Sequence, residues 1–307
     1  MADKALSVSA VQTYLQCPRR WWYQYRSNLP SAPTESAAMQ LGTAFHAAAA
    51  GVLRANDTSD ATIEAALRPL ATAIPDSVLA QAARLARYHL PRIGIGTTHQ
   101  ALIHDGVPQV EVEVTARVGQ GEKAFDLRGF VDAVLEDVQT GETWLVDWKV
   151  RGHLSPDDAV RLDKQLYIYA ALLGRAGVQI DRIAQVQILA DPPAEPRLNK
   201  GQDPTRFASY HASGIGKTTE AVLAPYLAAL RPEDYLQAEA EWGTRVVPEN
   251  HFRRWVELRA AAVPEVFSSF VLHALRLRAD TAFTPVLHSE TCKYCPFLRP
   301  CAEATGV

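Results

Sequence analysis

The sequence predicts an α/β protein in which a mixed sheet carries packed helices, with an N-terminal helical region and a C-terminal tail that holds most of the cysteines. Three observations predict it. Residues 37–90 are rich in alanine and helical in pattern. Val110-Glu111-Val112-Glu113-Val114 alternates strictly, as a half-exposed strand does. Helical runs then resume on either side of a further strand. With 307 residues, 48% hydrophobic and 21% charged, the chain can bury a sizeable core and is not of disordered composition.

From the N-terminus, residues 6–25 read as two short helices. Ser9-x-x-Gln12 fits a capping box, and Val11, Tyr14 and Leu15 give one apolar face. Pro18 suits the first turn of a new helix, which puts Cys17 at the joint. Trp21, Trp22, Tyr23 and Tyr25 read as core packing in preference to a base-stacking platform. Helix breaks are expected at 56–59 and at Pro75. Strands follow at 110–114, 125–135 and 144–150, an antiparallel meander with Gly121 and Gly141 in its turns. A helix over 156–174 precedes a strand over 183–189. Residues 191–205, with four prolines, read as a loop, and 219–278 as helical with a kink at Pro264. The expectation is one domain: a helical region over 1–107, a sheet core over 108–190, a loop and helical region over 191–278, and a tail over 279–307.

Lysine and arginine number 31 against 34 aspartates and glutamates. That balance argues mildly against binding nucleic acid by broad electrostatics but leaves room for a local basic groove. No run approaches the ~18–20 apolar residues of a membrane helix, and the N-terminus lacks an apolar signal core. A cytoplasmic protein with no membrane partner is expected.

Trp144-Leu145-Val146-Asp147-Trp148-Lys149-Val150 is the most informative stretch. Alternation puts Asp147 and Lys149 on one face and Val146, Trp148 and Val150 on the other, apolar one. Alone, the acid and the lysine would read as a weak ion pair on a solvated face. They have company: Gly129-Phe130-Val131-Asp132 on the preceding strand, Gly42-x-x-x-His46 on a helix, and Gln165-x-x-x-Tyr169 on one helical face. Asp132 and Asp147 supply oxygen ligands of the kind a hard divalent cation takes. A phosphodiester cleaved beside it needs an activated water and a neutralised charge, and the metal with an adjacent lysine can provide both. Glu111 and Glu113 are explained by the valine alternation as a solvent-facing strand edge and stay outside this set.

The four cysteines fall as Cys17 and Cys292-x2-Cys295-x5-Cys301. In a reducing compartment such a set marks a metal or cluster site sooner than disulfides. Zinc ribbons generally carry two CxxC pairs, whereas here there is one pair and two single cysteines, which favours a 4Fe-4S cluster over zinc. Joining Cys17 to Cys292 closes a loop of roughly 275 residues, worth on the order of 5 kcal/mol in the chain-entropy account. Gly214-Ile-Gly216-Lys217-Thr218-Thr219 lacks the earlier glycine of a phosphate-binding loop and reads as a loop before a helix, and His104, His153 and His288 read as surface residues.

The series Gly42/His46, Gly129/Asp132, Asp147/Lys149 and Gln165/Tyr169 resembles the PD-(D/E)XK nuclease superfamily. Within it the match is to the RecB-like and AddB-like branch, which includes the CRISPR-associated iron–sulfur exonucleases. Order and approximate spacing agree across most of the chain, and Leu6-Ser7-Val8-Ser9-x4-Tyr14-x2-Cys17-Pro18 resembles the same branch. The resemblance implies a restriction-endonuclease-like fold. It implies Mg2+ or Mn2+ held by His46, Asp132, Asp147 and the backbone carbonyl of Trp148, with Lys149 positioning or activating the attacking water. Gln165 and Tyr169 would support the site and the DNA backbone. Cys17, Cys292, Cys295 and Cys301 would hold a 4Fe-4S cluster. One departure is Asp147, where glutamate is commoner. The activity implied is DNA hydrolysis by an exonuclease on ends or single strands in recombination, repair or CRISPR-type processing. The alternatives are a structure-dependent endonuclease and a cluster-bearing DNA-binding subunit without catalysis. The sequence has no helicase motor motif, so unwinding would come from a helicase, recombination or CRISPR partner.

Overall fold

The structure, a computed structural model, describes residues 5–27, 29, 36–211, 216–288, 292–293 and 295–305. The chain opens with a two-residue strand, β1 (Leu6–Ser7), and Ser7 accepts the Ala10 amide at 3.1 Å to cap α1 (Val8–Gln16). The expected cap, Ser9, lies inside the helix. Ser7 takes the role because its backbone is extended (φ −81°, ψ 149°), the conformation a cap requires. Val8, Ala10 and Val11 form the buried face, while Leu15, expected there, is exposed. Cys17 joins α1 to α2 (Pro18–Trp21), with Pro18 in the first turn. The aromatics that follow pack against the tail: Trp21 stacks on Phe283 at 5.3 Å and Tyr23 on Phe297 at 5.5 Å.

Three helices then form the alanine-rich layer: α3 (Ala37–Ala55), α4 (Asp60–Leu67) and α5 (Asp76–Arg92). Their breaks fall where expected. Asn56 adopts the left-handed conformation (φ 48°) that closes α3, Ser59 caps α4, and Pro75 precedes α5.

The sheet follows, with β2 (His99–Ala101), a small hairpin of β3 (Ile103–His104) and β4 (Val107–Pro108), β5 (Val110–Val118), β6 (Phe125–Asp137) and β7 (Thr143–Arg151). Two helices, α6 (Asp157–Arg161) and α7 (Gln165–Arg175), cross over to β8 (Arg182–Leu189). The expected single helix over 156–174 is therefore broken at 162–164. Further on lie α8 (Glu220–Ala229), α9 (Pro232–Gly243), β9 (Arg253–Leu258), α10 (Val263–Ala279) and α11 (Leu298–Thr305). Thr219 caps α8, while Gly214 and Ile215 of the discounted loop lie outside the described residues. Strand β9 interrupts the span expected to be wholly helical. Pro264 sits in the first turn of α10, where proline starts a helix, and makes no kink.

The strand order is β1-β6-β7-β8-β9, with β2 and β5 also paired to β6. Strands β5, β6 and β7 form the expected antiparallel meander, β8 joins β7 in parallel, and β9 closes antiparallel to β8. One face packs Ala133, Val146, Trp148, Val186 and Ile188 against the α3–α5 layer. The other packs Val131, Leu145, Ile183 and Val256 against α1, α7 and α10. A smaller core of Tyr210, Leu223, Leu230, Ala238 and Trp242 organises α8 and α9. Among the described residues one helical stretch, Ala260–Ala279, has the length and composition to cross a membrane; Phe267, Phe270, Ala274 and Leu277 on it are buried in the fold.

The α3–α4 contact turns on Gly51, where an added Cβ would lie within van der Waals overlap of Ala66 Cβ. Alanine gains ~1 kcal/mol in helix propensity, but overpacking of this kind costs about 1–3 kcal/mol. The clash meets a rigid methyl on a packed helix, so it dominates. Gly51→Ala is expected to lower the melting temperature by about 1–3 °C in a thermal scan, and an unchanged or raised value would contradict the packing.

Candidate active site

Strands β6 and β7 pair only as far as Ala133↔Val146. The next residues, Asp132 and Asp147, do not continue the ladder. Asp132 Oδ2 instead accepts the Trp148 amide at 2.9 Å, so a side chain takes the place of a backbone carbonyl and the strands part. Further down the same edge of β6, β1 pairs with Leu127 and Arg128, while β5 occupies the opposite edge. The fork thus opens between β1 and β7, over residues 129–132.

His46 reaches into this fork from α3. Its Nε2 lies 3.0 Å from the Trp148 carbonyl. A carbonyl can only accept, so Nε2 carries a proton, and whenever the ring is neutral its lone pair is on Nδ1. That atom lies 3.4 Å from Glu111 Oε1 and 3.6 Å from Asp132 Oδ1. The ligand atoms of His46, Glu111 and Asp132 all fall within 4.8 Å of one another, the only such group among the described residues. A nitrogen and two carboxylate oxygens gathered at this spacing are a donor set that a hard divalent cation could take.

Glu111 was expected to face solvent beside Glu113. The two separate because Glu111 has a left-handed backbone (φ 50°), which turns it out of the alternation. Glu113 stays on the outward face and pairs with Arg128 at 3.6 Å. On β6 the facing also switches: Val131 and Val134 lie on the α7 side, Ala133 and Leu135 on the α3 side. A strictly alternating pattern carries no sign of either twist.

Asp147 is buried, at 2% exposure, with Oδ1 accepting from Lys149 Nζ at 2.7 Å and Oδ2 without a hydrogen-bond partner. It is not one of the three packed within 4.8 Å, yet its charge acts on both Asp132 and His46. Burial, then Asp147, pushes the Asp132 carboxyl up to about 7. Burial raises Asp147 against the pull of Lys149. Burial opposes the charge on Lys149, but Asp147 outweighs it and raises the lysine's pKa. For His46 likewise, burial opposes the charge, but the hydrogen bond the protonated ring donates to Glu111 and the charges of Asp132 and Glu111 outweigh it and raise its pKa in the metal-free protein. A buried, acid-rich site with one orphan carboxylate oxygen is what a divalent cation completes.

Gln165 and Tyr169 meet as the four-residue spacing predicts, with Gln165 Nε2 donating to Tyr169 OH at 2.9 Å. Tyr169 packs closely against Gly129, where any Cβ would overlap its ring. That close approach is why glycine stands three residues before Asp132.

The sequence profile of the PD-(D/E)XK nuclease superfamily matches residues 5–302, nearly the whole chain. The chain belongs to this superfamily. No curated protein matches. Among solved structures, SSO0001 shares 14% identity with a TM-score of 0.37, over 99% of this chain and 88% of its own. A Eubacterium rectale protein described as a candidate exonuclease shares 10% identity with a TM-score of 0.47, over 96% of this chain and 87% of its own. A mixed sheet flanked by helices is the architecture of this superfamily, whose nucleases use divalent metal, and the acidic group at the fork is a candidate metal site.

Cys17, Cys292, Cys295 and Cys301 line one cavity of about 290 Å3, together with Arg19, Arg20 and Tyr23. None forms a disulfide, and no three of the sulfurs lie within 4.8 Å of one another. The Val286 amide donates to Cys17 Sγ at 3.5 Å. Burial, then the neighbouring cysteines, raises the Cys301 thiol. His288, expected at the surface, is exposed at the rim of this cavity.

An ion needs Asp132 as a carboxylate, and a pKa of about 7 means the empty site holds a proton below that pH. Mg2+ binding is expected to release protons and to weaken as pH falls through 7. Titration calorimetry in two buffers of different ionisation enthalpy measures this; a proton count of zero would contradict the site. A raised carboxyl pKa contributes stability at low pH that is lost on rising through 7, so Asp132→Asn should raise the melting temperature of the metal-free protein at pH 8.

Proposed function

We propose that the chain is a divalent-metal-dependent deoxyribonuclease of the RecB/AddB-like kind, acting as an exonuclease on DNA ends or single strands. The observation that carries this reading is the convergence of His46, Glu111 and Asp132 within 4.8 Å, at a fork that also holds the buried Asp147–Lys149 pair. In this reading His46 through Nδ1, Glu111, Asp132 and the unpartnered oxygen of Asp147 hold Mg2+ or Mn2+. The Trp148 carbonyl, expected as a ligand, lies on the Nε2 side of the ring, and in this reading it orients His46 and does not bind the ion. When bound, such an ion lowers the pKa of a coordinated water and offsets charge on the scissile phosphate. Lys149 is held by Asp147, whose charge raises its pKa and favours the ammonium form in the metal-free protein. Its part is therefore to orient the nucleophile and stabilise negative charge on the phosphate, rather than to accept a proton. Gln165 and Tyr169 brace the β6 side of the fork. Unwinding in recombination, repair or CRISPR-type processing falls to a helicase partner.

We further propose that Cys17, Cys292, Cys295 and Cys301 hold a 4Fe-4S cluster. Four sulfurs on one zinc would stand about 3.8 Å apart, since Zn–S is ≈ 2.3 Å in a tetrahedron. Their wider spacing around a common cavity suits a cluster, whose cysteines bind different iron atoms. Arg19 and Arg20 on its wall offset the negative charge of a thiolate-bound cluster.

Two measurements test these readings. With end-labelled single- and double-stranded DNA and Mg2+ or Mn2+, Asp147→Ala and Lys149→Ala are each expected to lose at least about 10²-fold in cleavage rate. Variants that cut as fast as the parent would remove the site assignment. DNA retained without any cutting would favour the binding-subunit reading. Anaerobically purified protein should be brown and contain iron, while Cys295→Ser should be colourless and less stable; zinc without iron in the parent would overturn the cluster.

A further inference from the structure

Two residues outside the metal group mark a line across it. Along β5 the order is Val110, Glu111, Glu113. Glu111 belongs to the metal group. The Val110 carbonyl accepts from Arg54 Nη2 at 3.0 Å, and Glu113 faces Phe130 across the β5–β6 ladder. Arg54 lies two turns of α3 beyond His46, about 12 Å. Phe130 lies two strand positions from Asp132, about 7 Å. Arg54, the metal group and Phe130 therefore follow one another along a single stretch of surface.

Each end of that line is unusual for its place. Phe130 is 54% exposed, a bare aromatic ring on a strand whose core-facing neighbours, Leu127 and Val131, are fully buried. Its companions on the outward face are Glu113, Thr115, Arg117, Asp126 and Arg128. Arg54 spends one donor on Val110, which fixes its direction and leaves the rest of its five N–H groups for an oxyanion. Between Arg54 and His46 runs a groove of about 610 Å3 floored by Gly42, Ala47, Ala50 and Gly51. Apart from His46, Arg54 and Glu111, only Thr43 at its rim carries more than a methyl, so a sugar–phosphate backbone can lie close against the helix.

We propose that this line is the path of one unpaired nucleic-acid strand, with a phosphate held by Arg54 and a base stacked on Phe130 beside the scissile position. The proposal rests on the nuclease reading above and adds the strandedness of its substrate. A base inside a duplex already has both faces covered and reaches an exposed ring only by unpairing, at a cost of a few kcal/mol. An unpaired base meets the ring without that cost. The path therefore selects single strands and frayed ends over intact duplex.

The test is fluorescence anisotropy of a labelled oligothymidylate and a blunt duplex on the intact full-length protein, with Ca2+ replacing Mg2+ to suppress cleavage. Phe130→Ala should weaken single-strand binding about tenfold to a hundredfold, the range of one lost base stack, and change duplex binding by less than about threefold. Phe130→Trp should retain single-strand affinity. Arg54→Ala should reduce the slope of log affinity against log salt by about 0.7, the value for one phosphate on a single strand. Single-strand affinity unchanged in Phe130→Ala, or lost equally for duplex, overturns the path, and so does an unchanged salt slope in Arg54→Ala. If those variants behave as the parent while the parent still cuts DNA, the path falls and the nuclease reading stands. A parent that neither binds nor cuts removes both.

Discussion

Where β7 leaves β6, the next backbone groups in line belong to Asp132 and Asp147, and a continued ladder would have paired them. Asp132 intervenes with its side chain, accepting the Trp148 amide at 2.9 Å, and the strands separate from that point. The rest of the site follows from this exchange. A buried amide must find an acceptor. Here the acceptor is a carboxylate with a second oxygen free to face His46. Closing the fork with regular backbone bonds would satisfy the amide equally well and leave no room for an ion.

The exchange is costly in the absence of metal. Three carboxylates, Glu111, Asp132 and Asp147, share the fork with one lysine and one histidine, and two of those acids have pKa values raised by burial. Lys149 neutralises one oxygen of Asp147 and leaves the other buried without a partner. In a low-dielectric setting such groups either take up protons or recruit a cation. The sheet absorbs the cost through its two cores: Val146 and Trp148 anchor one face of β7, and Leu145 the other. Strand position is fixed by apolar contacts on both faces, so the acids are held near one another despite their repulsion.

Much of this was legible in residue order. Period-two alternation located β5 to β8, and the i, i+4 spacing placed Gln165 against Tyr169. Alternation also put Asp147 and Lys149 on one face, where they touch. What failed to show are features set by contacts distant in sequence. β1 and β9 are short or half-buried strands that exist because β6 and β8 offer open edges. Ser7 outranks Ser9 as a cap because β1 pairing extends its backbone. Glu111 was hidden by the regularity of its strand: a pattern of valines and glutamates cannot reveal a positive φ at one residue. The tight fit of Tyr169 over Gly129 gives a physical cause for a glycine that sequence alone could only note.

The two chain ends bear on the fork through β1. The tail meets the N-terminal segment by Trp21 on Phe283, Tyr23 on Phe297, and Tyr14 donating to Asp280 at 2.7 Å. Aromatic pairs add ~0.5–1.5 kcal/mol each beyond burial, and a hydrogen bond to a charged group ~1.5–3. These contacts already hold the tail in place, comparably to the entropy that one covalent closure would remove. What they leave open is the cavity between them, with a cysteine at its N-terminal wall and three at the other. Cys17 directly follows α1, α1 follows β1, and β1 lies on the same edge of β6 that β7 vacates. A group bound by those cysteines would therefore stiffen the strand bordering the fork, which ties the geometry of the acids to the far end of the chain.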